Sequence, residues 1–326
     1  MALRSTFKAG YRAAAVLALL LAGLESARAE SCQLKQFASI PAEFRGNRIF
    51  IDVSINDQPT KLVVDTGAGF SVIGAAFAER LGLPMAETGT TGYGLTGRGL
   101  NGAAKVAALK LGNAVSRDAA FGLARFGDDG KDGGAVGLFA ADYMANYDVE
   151  FDPAGGRLKL FSQDHCTGKV VYWDKEYFRL PASLTPDKRL MVDLRINDKP
   201  LRGLIDTGAG SNVLRLAVAR RLFDVDPEAE GLKHHSAEGI DATKVDMFPH
   251  VFDSLSFGDI TLRNTSVQVL DMDSGKGASN VGSHISGLRD QEDVIIGMAL
   301  LSKLHIFIAY SEPAVYFTMA EPPKAP

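Results

Sequence analysis

The pentapeptide Asp-Thr-Gly-Ala-Gly occurs twice in this chain, at residues 65–69 and 206–210, with 141 positions between the two aspartates. The surrounding sequence repeats at the same offset. Ile51-Asp52-Val53-Ser54-Ile55-Asn56-Asp57-Gln58-Pro59 matches Val192-Asp193-Leu194-Arg195-Ile196-Asn197-Asp198-Lys199-Pro200. A repeat this long constrains the fold to two copies of one unit, and a length of 326 residues has room for about two domains. Two copies related by a pseudo-two-fold axis would bring the two aspartates to one point.

Within each copy, an Asn-Asp pair between alternating apolar runs predicts a tight hairpin turn. The next run, residues 61–65 or 202–206, predicts a buried strand ending at the pentapeptide, whose glycines allow backbone amides to approach the carboxylate. Residues 75–81 and 216–222 predict short helices. A closing pattern of two apolar residues and a glycine, a short helix and an alternating strand follows, as Ala135-Val136-Gly137 and residues 143–151, then as Ile295-Ile296-Gly297 and residues 300–308. Aligned on these glycines, the first copy carries about three extra residues. Residues 157–161 and 314–317 predict the last strand of each unit. The pattern is all-β, with two similar lobes spanning residues 30–166 and 167–326 and a boundary near residues 162–169. Residues 271–290 predict a surface loop and residues 321–326 an extended tail.

The N-terminus has the pattern of a secretory signal over residues 1–29. Arg4, Lys8 and Arg12 precede an apolar stretch at residues 13–24, and Ala27-Arg28-Ala29 supplies a small-x-small cleavage site. The apolar stretch is shorter than the ~20 residues that a bilayer-spanning helix needs. The expectation is an exported protein, periplasmic or secreted, without stable membrane insertion once the signal is cleaved; an uncleaved anchor is the alternative. The mature part holds 31 basic and 38 acidic residues, a net charge of −7, against nucleic acid as a partner. Export permits a disulfide between Cys32 and Cys166, the only cysteines, and the sequence leaves the pairing open. No metal and no cofactor is expected: the cysteines have no histidine at ligand spacing.

The motif of two apolar residues followed by Asp-Thr-Gly-Ala, with a later apolar-apolar-Gly, resembles the aspartic peptidase superfamily, here in both halves. Each half has about the length of a retroviral protease subunit, so the chain looks like a bacterial retropepsin-like protease fused into one molecule. The resemblance implies two retropepsin-like or pepsin-like β-barrel lobes related by pseudo-two-fold symmetry, with the active site between them. It implies Asp65 and Asp206 as a catalytic dyad and Thr66 and Thr207 as hydroxyls locking the two loops together. Gly67, Ala68, Gly208 and Ala209 would complete the loops around the carboxylates, and Val136-Gly137 and Ile296-Gly297 would be the strands packed beneath them. Acidic residues usual in retroviral enzymes after Asp-Thr-Gly-Ala are replaced here by Gly69-Phe70-Ser71 and Gly210-Ser211-Asn212.

Two carboxylates in contact cannot both ionise cheaply, so such a pair holds one proton over a wide pH range, an established property of aspartic proteases. The ionised member can take a proton from water while the protonated member polarises a peptide carbonyl. The expected activity is aspartic endopeptidase hydrolysis of protein or peptide substrates by a monomer. The alternative is a catalytically silent peptide-binding module of the cell envelope with the same fold. A flap is expected over the cleft at the glycine-rich residues 88–102, with Tyr93 and Gly94 as candidate tip residues. His234-His235 predicts a solvated loop, since adjacent side chains on an extended segment point opposite ways. Serine hydrolysis lacks a Gly-x-Ser-x-Gly element, and no Gly-x-Gly-x-x-Gly opens a helix for a dinucleotide.

Overall fold

The computed structural model describes residues 33–93, 99–124, 134–174, 176–238, 244–271 and 292–321. The first lobe runs β1 (Gln36–Arg45), β2 (Arg48–Ile55), β3 (Gln58–Asp65), β4 (Val72–Gly74), α1 (Ala75–Arg80), β5 (Met85–Tyr93), β6 (Gly99–Leu111), β7 (Ala114–Ala124), β8 (Gly137–Ala140), α2 (Ala141–Met144), β9 (Asp148–Asp152) and β10 (Arg157–Phe161). The second lobe repeats the order as β11 (Phe178–Leu184), β12 (Leu190–Ile196), β13 (Lys199–Ile205), β14 (Val213–Arg215), α3 (Leu216–Phe223), β15 (His235–Glu238), β16 (Lys244–Phe257), β17 (Ile260–Leu270), β18 (Val294–Ile296), α4 (Met298–Leu301), β19 (Leu304–Ala309) and β20 (Ala314–Met319). The architecture is all-β and two-lobed. The expected signal segment, residues 272–290 of the expected loop and residues 322–326 of the expected tail lie outside the described residues.

Local chemistry accounts for the hairpin that leads into each site loop. Along β2, Ile49, Ile51, Val53 and Ile55 alternate inward and are buried. The turn residues Asn56 and Asp57 have φ of 46° and 65°, and Asn197 and Asp198 have 43° and 63°. Asn and Asp tolerate this left-handed region, and two such residues in succession make the turn that matches strand twist. The chain then returns along β3 or β13. Each pairs in parallel with a strand from late in its own lobe, β3 with β8 and β13 with β18. Strands inside such pairings are covered on both faces, which is why Leu62, Val63 and Val64 form a continuous apolar run.

The register of that pairing corrects the alignment of the closing strands. Val64 faces Phe139 and Asp65 faces Ala140, whereas Ile205 faces Ile296. The Ala140 amide is bonded by Ser71 Oγ at 2.9 Å, and the Gly297 amide by Asn212 Oδ1 at 3.0 Å. Ala140 has φ −114° and ψ −175°, and Gly297 has −104° and −174°. Ala140 therefore stands where Gly297 stands, and the strand beneath the first loop is Leu138-Phe139-Ala140, not Val136-Gly137. The three extra residues expected after Gly137 do not exist. Gly137 instead lies one step from the start of the contact, where a Cβ would meet Val72 O at 2.1 Å.

A six-stranded antiparallel sheet joins the lobes in the order β1, β10, β9, β19, β20, β11. Its centre is the pairing of Val149, Glu150 and Phe151 with Ile308, Phe307 and Ile306. The sequence gives no warning that charge is buried here. Glu150 is fully buried, yet it accepts hydrogen bonds from Lys159 at 2.9 Å and Tyr172 at 2.6 Å and bonds His305 at 2.9 Å. Asp148, also fully buried, bonds His165 and accepts from the Ser311 amide and hydroxyl. Each buried carboxylate is thus satisfied, as burial of charge demands. Cys166, beside His165, is disulfide-bonded, and the only other cysteine in the sequence is Cys32, outside the described residues.

Candidate active site

The two pentapeptides meet where β3 and β13 end. Asp65 Oδ1 accepts from the Gly67 amide at 3.0 Å and the Ala68 amide at 2.9 Å. Asp206 Oδ1 accepts from the Gly208 amide at 2.8 Å and the Ala209 amide at 3.1 Å. Each carboxyl group packs on the glycine of the opposite loop, Asp206 on Gly67 and Asp65 on Gly208, and each shifts the other's titration. Each loop thus fixes one carboxylate with its own backbone and presents it to the other.

The threonines bind the loops together. Thr66 Oγ1 donates to Ile205 O at 2.8 Å and accepts from the Thr207 amide at 3.0 Å. Thr207 Oγ1 donates to Val64 O at 2.8 Å and accepts from the Thr66 amide at 3.1 Å. Both side chains are buried, so water cannot replace a lost partner. Thr207→Val keeps the shape but leaves an amide and a carbonyl unpaired across the lobe interface. The expected cost is about 2–6 kcal/mol, at about 1–3 kcal/mol per stranded group. Equilibrium denaturation in urea checks this, and a change under about 0.5 kcal/mol, the usual size for a surface substitution, would refute the interlock.

Burial governs the electrostatics of the pair. It raises the pKa of Asp65, against the hydrogen bond from Asp206 and the loop amides. It raises that of Asp206 further, and the charge of Asp65 adds to the rise. The pair therefore keeps a proton at pH values where an isolated aspartate has lost it.

Behind the loops the lobes differ in ways the sequence reading missed. In the first, Asp142 accepts from Ser71 through the backbone at 3.1 Å and through Oγ at 2.7 Å, and the Ser71 hydroxyl goes on to the Ala140 amide. In the second, Asn212 alone reaches the Gly297 amide. The signal was present as Ser71 and Asn212 at equivalent repeat positions, but Asp142 carries no motif.

The expected flap coincides with the β5–β6 hairpin. Tyr93 ends β5 and its backbone faces Gly99, with irregular register between Ala86 and Gly92. Gly94 lies outside the described residues. The 88–93 and 99–102 stretches are paired strand despite their glycine content, with the register shifts just described. His234 is held by Asp246 and by Pro227 O at 2.9 Å, not free in a loop. Among the described residues one cluster has metal-ligand spacing, Glu150, Asp152 and His305. Lys159 Nζ already bonds its two carboxylates, at 2.9 and 3.0 Å.

Comparison with known proteins agrees with this geometry. The family described as aspartyl protease matches residues 51–138 and 192–300, one segment in each lobe and more than half of the chain. The chain is also similar to the crystal structure of a retropepsin-like aspartic protease from Rickettsia conorii, at 18% identity and a TM-score of 0.30, over 45% of this chain and 96% of that one. No curated protein matches it. With the family motif matched once in each lobe and both copies of its loop complete, the chain belongs to the aspartyl protease family.

Proposed function

We propose that the chain is an aspartic endopeptidase that hydrolyses peptide bonds in proteins with a water held between Asp65 and Asp206. One observation carries the reading: two carboxylates, each bound by its own loop's amides, meet across a pseudo-two-fold axis, each packed on the opposite loop's glycine. The ionised carboxylate takes one proton from the water as its oxygen bonds to the scissile carbonyl carbon. The protonated carboxyl donates to the carbonyl oxygen, giving a gem-diol. The pair then gives its proton to the amide nitrogen, and as the C–N bond breaks it takes back a proton from one gem-diol hydroxyl, which re-forms the carbonyl and returns the pair to one shared proton. The pair titrates as a unit, so base and acid belong to the dyad and not to either residue alone.

The reading includes export, with residues 1–29 as a cleaved signal and residues 30–166 and 167–326 as the two lobes of the mature protein; the signal pattern in the sequence supports it. Both aspartates come from one chain, so a monomer suffices. The test is cleavage of a diverse peptide mixture by the mature protein, read by mass spectrometry from acidic to neutral pH, beside Asp65→Asn and Asp206→Asn. Cuts that disappear in both variants are the expected result. A folded wild type that cuts nothing but retains peptides would instead make the chain a binding module.

A further inference from the structure

The turn between β11 and β12 reaches across to the loop of the opposite lobe. Asp187, in that turn, packs on Gly69, the last residue of the first pentapeptide; a Cβ on Gly69 would lie 2.6 Å from Asp187 Oδ2. Asp187 is itself fixed, accepting from Thr185 Oγ1 on one oxygen and from Arg189 Nε at 2.9 Å on the other. Arg189 is half-buried, and its charge acts on Asp65 through space. Nε is the only guanidinium donor with a partner among the described residues, which leaves the four N–H groups of Nη1 and Nη2 open to a ligand.

The other lobe lacks this arrangement. At the repeat offset of 141, Asp187 corresponds to Gly46 and Arg189 to Arg48. Arg48 is exposed, and among the described residues no carboxylate pairs with it. Gly210, the counterpart of Gly69, has only Asn47 near it, with Cβ at 3.7 Å. In the first lobe Glu43 holds Arg45 through Nε at 2.9 Å, but that guanidinium lies over the Phe50 ring; among the described residues only the second lobe's clamping carboxylate, Asp187, packs on the opposite pentapeptide.

We propose that Arg189 is a specificity-determining residue that binds a carboxylate of the peptide, with Asp187 as the residue that positions it. A guanidinium held at Nε presents its two outer nitrogens as a fixed fork, the geometry that pairs with a carboxylate by two parallel hydrogen bonds. The site needs such a cation for an acidic ligand, because the dyad carries a negative charge that repels one. The carboxylate is that of an Asp or Glu side chain or of a free C-terminus; both present the same group. The inference rests on the cleft being a peptide site, but not on the dyad being active.

The test uses peptide pools of identical backbone that carry Asp and Glu or the isosteric Asn and Gln, each with free and with amidated C-termini. Binding to the mature Asp206→Asn protein is measured by fluorescence anisotropy, and cleavage by the wild type by mass spectrometry. A charge-assisted pair predicts roughly ten- to hundredfold preference for the carboxylate pool. The preference should fall to near one in Arg189→Gln and persist in part in Arg189→Lys, which keeps the charge but loses the fork. It should weaken in Asp187→Asn, which frees the guanidinium without removing it. If amidation abolishes it, the group read is the C-terminus; if only the side-chain swap does, it is Asp or Glu. A wild-type ratio near one, a ratio unchanged in Arg189→Gln, or no retention of any pool overturns the proposal. Acid-selective binding by a protein that cuts nothing would uphold it while defeating the peptidase reading. Cleavage without acid preference would do the reverse.

Discussion

Asp206→Asn is expected to lower peptide cleavage by at least about 10³-fold, within the range by which positioned acid–base groups contribute, and to raise the melting temperature at neutral pH. The two effects share one cause. In the unfolded chain each aspartate titrates near the ordinary value, 3.8. In the fold, burial raises both, and the charge of Asp65 raises Asp206 further. Between the unfolded and folded values the native state binds more protons than the unfolded one, so stability falls as pH rises. This contribution is fully present below the unfolded pKa and is lost as pH passes upward through the folded pKa. At neutral pH the fold therefore bears a destabilising charge, the one that the proposed reaction uses. Asn carries none. Its Oδ1 still accepts from the Gly208 and Ala209 amides, and its amide can donate to Asp65, so the loop keeps its bonds. The melting temperature of the variant minus that of the wild type should grow from acidic to neutral pH, reaching about 2–4 °C for each kcal/mol regained. The difference isolates the dyad from carboxylates with lowered values, such as Glu43 and Asp152, which both proteins share. Parallel profiles in scanning calorimetry would mean that the pair holds no raised pKa.

The part of this site that could be read from sequence is the part that repeats. Asp65, Thr66 and Gly67 announce themselves because Asp206, Thr207 and Gly208 stand at one offset, and the hairpin turns do so through Asn56-Asp57 and Asn197-Asp198. What broke the repeat escaped. The closing strand was misread by three residues because Val136-Gly137 imitates Ile296-Gly297, while the true counterpart of Gly297 is Ala140. A Cβ at Gly297 would come within 2.2 Å of Ser211 O, yet the first lobe accommodates the Ala140 methyl, so identity did not follow position. The Asp142–Ser71 support and the Asp187–Arg189 clamp join residues distant in sequence or lacking a mate in the other lobe. The charges inside the joining sheet were invisible for a different reason. Glu150 and Asp148 lie in the alternating strand Asp148–Asp152, where a polar position normally faces solvent. Here His165 and Tyr172 of the segment after β10, with His305 and Ser311 of the second lobe, cover it, a tertiary fact without local signature.

Gly67→Ala is the substitution with the largest expected consequence per atom added. A methyl on Gly67 would lie 2.2 Å from Asp206 Cγ and 2.4 and 2.5 Å from its oxygens. The reciprocal contact, Gly208 against Asp65 Cγ, is 2.3 Å. The glycines are therefore required by the approach of the opposite carboxylate. Neither partner can yield cheaply: Asp206 is held by two amides of its own loop and by Asp65, and the loop of Gly67 is locked by Thr66. Relief comes by expelling the Asp206 carboxylate from its pair or by parting the loops, and either separates the groups that must share one water. Activity should fall by at least about 10³-fold, since a displacement near 1 Å already costs ~10²-fold. Stability should fall by about 1–3 kcal/mol, the usual cost of overpacking. Gly210→Ala supplies the contrast. It lies in the same pentapeptide of the other lobe, but its Cβ would meet nothing nearer than Asn47 at 3.7 Å, an ordinary contact. Its melting temperature should match the wild type. If Gly67→Ala cleaves within about tenfold of the wild type, the carboxylates are not packed on the opposite glycines as closely as these distances require; if Gly210→Ala unfolds as readily as Gly67→Ala, the loss reports general intolerance in the loops and not the clash with the dyad.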